Sequence, residues 1–99
     1  MIDIGNVTID LNNVDIQGLS ESLKILFSTP VGSVVLDRDF GIDWSVMDMP
    51  LQKAKAFLTI EYIEKVKRYE PRVKVIQVSF EISSIEGILK PKVVVELVD

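Results

Sequence analysis

The sequence predicts an α+β domain: two main helices packed on a small, mostly antiparallel sheet, with a C-terminal β-hairpin. Three observations carry this. Apolar residues recur at helical spacing from Leu51 to Tyr69, and a shorter stripe of the same period runs through Leu19, Leu23, Leu26 and Phe27. After Pro71 the pattern changes to two runs that alternate with the period of two that strands require. With 99 residues, 47% of them hydrophobic, the chain supports one domain over residues 1–99, with 1–14 as an extended N-terminal arm.

Taken in order, residues 2–11 carry two short alternations, Ile2/Ile4 and Val7/Ile9/Leu11, that slip phase at Gly5-Asn6. They read as extended chain or a marginal strand. Asn12-Asn13 signals a turn. The first helix is expected from about Asp15 or Gly18 to Ser28, with Asp15 or Ser20 as N-cap and Thr29-Pro30 as its stop. Val31-Gly32 turns the chain and Ser33-Val34-Val35-Leu36 reads as a short strand. The polar segment Asp37 to Gly41 follows, with Phe40 plugging the core and Gly41 taking a backbone angle other residues avoid. Asp43 is placed to cap a single helical turn through Trp44 and Val46-Met47, ended by Pro50.

The long helix puts Leu51, Ala54, Leu58, Tyr62, Val66 and Tyr69 on one apolar stripe, its core face. Phe57, Ile60 and Ile63 fall on the far side among charged residues, and a domain this small has too little around it to bury both sides. They are therefore candidate partner-interface residues. Pro71 ends the helix at or before Tyr69, because it lacks an N–H and disfavours a helical Glu70. The next strand changes phase between Val75 and Ile76, which predicts a β-bulge. Ser83 to Gly87 reads as a loop, and Leu89 to Leu97 as a last strand with Leu89, Pro91, Val93, Val95 and Leu97 on one side. Pro91 argues that the early part of this strand lies at an edge or turns its N–H side away from a neighbour. Val93, Val95 and Leu97 join the candidate partner interface, on the expectation that 88–98 offers an edge to another chain and can be removed with the helices still folded.

Composition narrows the chemistry. The chain has no histidine and no cysteine, which removes the usual zinc sites, His-dependent triads and disulfides. No apolar run is long enough for a membrane span, and the N-terminus lacks the features of a signal peptide, so a soluble chain made in the cytoplasm is expected. The net charge of −4 argues against nucleic-acid binding. Residues 1–50 hold eight acidic side chains against Lys24 and Arg38, while 51–99 hold nine basic against seven acidic. That asymmetry can orient subunits in an assembly, or it is solvated surface.

Three segments in order, Ser22 to Gly32, Arg38-Asp39-Phe40-Gly41, and Tyr69-Glu70-Pro71-Arg72-Val73 closing a long helix, resemble the small baseplate wedge protein of contractile-tailed phages. That family includes the TssE component of type VI secretion systems and has carried a lysozyme-like label. The resemblance covers about residues 16–98. It implies a structural part without catalysis or cofactor, found in the virion tail baseplate or on the cytoplasmic side of a contractile secretion apparatus. Its partners would be other wedge proteins and the tail sheath subunit, whose first ring it would template by β-strand pairing, and it could form a homo-oligomer in isolation. The implied structural signature is Glu70, Pro71 and Arg72, with Gly32, Asp39, Phe40 and Gly41. The chain departs from the family pattern at Ser33-Val34, where many members carry a charged pair, in its short N-terminal arm, and in ending after the last strand. Arg72 is expected to form a bidentate pair with a carboxylate of the acidic half, Asp39 being the candidate.

Two other chemistries compete with this one. A cell-wall glycoside hydrolase would use paired carboxylates, and Asp37, Asp39, Asp43 and Asp48 cluster; yet that reaction needs one carboxyl with a raised pKa and a second at a set distance across a cleft. Calcium binding would use Asp37, Asp39 and Asp48 at EF-hand positions, but Ile42 stands where glycine is required and an Asp replaces the bidentate Glu. Neither Ser33 nor Ser45 has a recognisable base beside it for nucleophilic catalysis.

Overall fold

Both helices lie over one face of a three-stranded sheet in the structure, a computed structural model that describes residue 2 and residues 4–12, 16–82 and 88–98. The elements are β1 (Thr8–Asp10), α1 (Leu19–Ser28), a 3₁₀ turn (Trp44–Asp48), α2 (Leu51–Tyr69), β2 (Val73–Ile82) and β3 (Leu89–Leu97). The sheet order is β1-β3-β2, with β1 parallel to β3 and β2 antiparallel to it. The architecture is the α+β arrangement of the sequence reading, with β2 and β3 as the C-terminal strand pair.

The long helix ends where Pro71 requires, its last turn closed by the Glu70 N–H donating to the Val66 carbonyl at 2.8 Å. Ala54, Leu58, Tyr62 and Val66 are buried, and Phe27 of α1 packs on Tyr62 with ring centroids 4.9 Å apart. Two ends of the expected stripe differ: Leu51 is exposed and Tyr69 half-buried, since the stripe drifts off the core at the helix ends. The phase slip in β2 is a bulge, with Val75 opposite Val95 and Gln77 opposite Val94, so Ile76 has no partner in β3. Asp43 caps the 3₁₀ turn as expected, accepting from the Ser45 N–H at 3.0 Å.

Several expectations are corrected. The N-cap of α1 is Gly18 at φ +78°, which leads the chain in without a side-chain cap; Ser20 lies inside the helix and Asp15 outside the described residues. Ser33 to Leu36 is not a strand but part of a loop, closed at its base by Val31 N–H to Ile42 O at 3.0 Å and Gly32 N–H to Arg38 O at 3.0 Å. A short apolar run carries no period of its own, and the sheet's ladders among the described residues are β1·β3 and β2·β3. The expected loop at Ser83 to Gly87 lies outside the described residues.

The N-terminal segment is no free arm. Ile2 and Ile4 are buried in the core and β1 pairs with β3 in the register Thr8–Lys92, Ile9–Val93, Asp10–Val94. Consequently β3 is the central strand, not an edge. Pro91 is buried opposite Phe80, just ahead of the stretch that β1 covers.

Candidate functional site

Glu70, Pro71 and Arg72 form the corner between α2 and β2. Glu70 is the one buried charged residue among those described, 7% exposed, and the Arg72 Nε donates to its Oε1 at 2.5 Å. The expected partner of Arg72 was Asp39; the partner is Glu70, two residues away, because the turn folds the guanidinium back over the buried carboxylate. The Glu70 hydrogen bond and charge raise the Arg72 pKa above its already high ordinary value. On the backbone, the Val73 N–H donates to the Glu70 carbonyl at 3.3 Å, which closes the corner as the strand begins.

Asp39 is held from another direction. Lys65, Arg68 and Tyr69 share one flank of α2 at helical spacing and grip the loop of residues 37–40. The Tyr69 hydroxyl donates to Asp37 Oδ1 at 2.9 Å, Arg68 donates to Asp39 Oδ2 at 3.2 Å, and the Lys65 ammonium donates to the Asp39 carbonyl. Phe40 meets Tyr69 edge to face at 5.1 Å. Burial first, and then the hydrogen bond to Asp37, raise the Tyr69 pKa. So the acidic first half and the basic second half are tied, but by the last turns of α2 and not by Arg72.

The glycines of the signature are at the loop's base. Gly41 sits at φ +106°, and a Cβ there would lie 2.2 Å from the Thr29 carbonyl oxygen, a clash no rotamer relieves. Gly32, at φ +90°, turns the chain at the loop's entrance with open space around it. The loop tip beyond it presents Val35 and Leu36 to solvent.

The candidate interface residues separate into three groups. Ile60 and Ile63 are 57% and 44% exposed on the outer flank of α2, as the helical pattern required. Phe57 is half-buried and packs against the core, so it belongs only partly to that flank. Val93 and Val95 are fully buried beneath the helices and offer no side chain to a partner, a correction that follows from the central place of β3; Leu97 at its end is exposed.

The open edges are instead those of β1, three residues long, and of β2, ten residues long, whose outer sides pair with no strand among the described residues; β2 offers the longer one. Beside its start lies an apolar groove of about 300 Å³ lined by Ile63, Lys67, Pro71, Val73, Val75 and Val98. Sequence reasoning missed this edge because it hangs on which strand is central, and missed Lys65 and Arg68 as loop anchors although their spacing with Tyr69 was visible.

As for chemistry, the clustered carboxylates have structural partners: Asp37 with Tyr69, Asp39 with Arg68, Asp43 with the backbone of Ser45. Among the described residues no group of three or more acidic side chains is placed to hold a metal ion, and no helix is long and apolar enough to cross a membrane. Comparison with protein-family models and with curated proteins returns no match to this chain.

Proposed function

We propose that this chain is a structural, non-catalytic subunit of a contractile injection machine, a baseplate wedge component of a phage tail or a related secretion apparatus. In this role it joins other wedge proteins and starts the first sheath ring by pairing strands with a sheath subunit. The observation that carries the reading is the open outer edge of β2 running beside the apolar groove at the Glu70-Pro71-Arg72 corner. An edge gives affinity through main-chain hydrogen bonds, and a groove alongside it selects the side chains of the incoming strand. The corner supports the same role: it fixes the angle between α2 and β2, and so the shape of the groove, with a proline and an ion pair between buried Glu70 and half-exposed Arg72 instead of a flexible link. From the loop signature, Asp39 and Phe40 pack against the last turn of α2 and brace the corner from the other side, while Gly32 and Gly41 turn the chain at the loop's base.

The test is reconstitution. Wild-type protein co-expressed with the sheath, tube and wedge proteins encoded beside it should bind a wedge protein and seed sheath of normal length. Ile60→Glu with Ile63→Glu should fold and lose that binding. Wild-type protein that binds neither wedge nor sheath subunits would overturn the proposal.

A further inference from the structure

The outer edge of β2 is ten residues long and its chemistry is self-complementary. On the helix-covered face it presents Val73, Val75, Val78 and Phe80, and on the other face Lys74, Gln77, Ser79 and Glu81; the bulge at Ile76 lets the two numbering phases share one face. We propose that this edge pairs antiparallel with the β2 edge of a second copy of the chain, about a two-fold axis at Val78. The result is one continuous six-stranded sheet.

Only a register that keeps like faces together is allowed across such an axis, and the bulge selects one. With Val78 opposite itself, Gln77 meets Ser79 of the second copy. Past Ile76, Val75 meets Phe80 and Lys74 meets Glu81 of the second copy, in the same two-against-one geometry that β2 already adopts against β3. Four consequences agree. Lys74 and Glu81 are opposite charges on the solvent face, so two ion pairs form per dimer. They extend rows already present: Lys74 lies opposite and 3.4 Å from Glu96 of β3, and Glu81 lies opposite Lys90, giving Glu96–Lys74–Glu81–Lys90 with alternating sign across the seam. On the helix face, Phe80 packs by Val75, an aromatic–β-branched pair. Ile82, 71% exposed at the strand's end, arrives opposite Val73 of the second copy, where the apolar groove of about 300 Å³ lies.

The helices fit the same seam. Ile60 stands about 160° around α2 from Tyr62, the residue that meets α1, so the flank of Ile60 and Ile63 faces away from α1 and past the β2 edge. The two-fold axis brings these exposed flanks together above the joined strands. An unprotected edge invites association, and self-pairing covers it with an isologous contact that closes at two copies and leaves only the three-residue β1 edges at the ends of the joined sheet. The inference stands apart from the baseplate reading, since it concerns the isolated chain; in an assembly a partner strand would take the same edge from the second copy.

Sedimentation of the purified chain over a concentration series is the first measurement, with twice the 11.1 kDa chain mass expected. Glu81→Lys and Ile82→Asp, both at exposed positions, should each weaken the dimer by roughly tenfold; Ile82→Asp should leave the melting transition intact, while Glu81→Lys lowers it slightly because the new charge meets Lys90 and Lys92 of its own sheet. Adding Lys74→Glu to Glu81→Lys should restore the dimer. Because the chain has no cysteine, register is read by cross-linking: Lys74→Cys with Glu81→Cys in one chain should give a disulfide-linked dimer, while either alone should not. Within one strand the two positions are about 23 Å apart and cannot bridge. A monomer at all concentrations overturns the proposal, and so does a dimer that the paired cysteines fail to link or that charge reversal leaves unchanged.

Discussion

Tyr62 is fully buried, and its hydroxyl has no hydrogen-bond partner among the described residues. A buried phenol left unpaired forfeits its hydration, so Tyr62→Phe should raise the unfolding free energy by about 1 kcal/mol, measured by urea denaturation. The same residue makes the fold sensitive to alkaline pH. Burial first, and then the charge of Glu61, push its pKa far above the ordinary phenol range, and Tyr69 is raised as well. A raised folded-state value means the folded chain holds the proton more tightly than the unfolded chain. Stability is therefore whole below about pH 10 and falls as pH rises beyond it, and Tyr62→Phe should flatten that fall between neutral pH and about pH 11. The place of Tyr62 in the core was legible from the helical stripe, because burial follows period. Its orphaned hydroxyl was not, because satisfaction depends on neighbours that are distant in sequence. Arg72 teaches the same: its charge called for a carboxylate, but only the turn geometry shows that Glu70 reaches it before Asp39 does.

At the scale of elements, the pattern of the chain located α2, β2 and β3 with their ends, because Pro71 and the alternation of apolar residues act locally. The bulge was legible for the same reason, as a change of phase at Ile76. The segment 33–36 was not: four residues of mixed polarity have no period, and their state is decided by the loop's attachment to α2. That attachment is separable. Tyr69→Phe keeps the ring against Phe40 and removes only the hydrogen bond to Asp37. Amide hydrogen exchange should then quicken across residues 33–39, while amides of Leu58 to Val66 in the core of α2 keep their protection. Unchanged exchange in the loop would mean that Arg68 and Lys65 hold it alone.

For the whole molecule, the decisive feature is that the N-terminal segment pairs along β3, the central strand of the sheet. β3 carries Leu89, Val93 and Val95 into the core, and the N-terminal segment adds Ile2, Ile4 and the ladder of β1 along it. Neither helix has a complete floor without β3, which argues against the expectation that residues 88–98 can be removed with the helices still folded. Burying a large aliphatic side chain contributes about 1.5–3 kcal/mol, so losing Leu89, Val93 and Val95 together removes roughly 5–9 kcal/mol, comparable with the entire stability of an ordinary domain. A chain ended at residue 87 should show no cooperative melting by circular dichroism, not a folded helical pair without its docking strand. Removing residues 1–11 is the milder cut: it takes away Ile2, Ile4 and β1 but leaves β2 and β3 paired, so a cooperative transition should persist at lower temperature. It also strips the second side of β3, so the three-residue outer edge of β1 is replaced by the nine-residue edge of β3. If β2 closes on a second copy as inferred, the shortened chain should sediment as species larger than a dimer, because the long bared edge of β3 offers strand pairing a second site that the three-residue β1 does not.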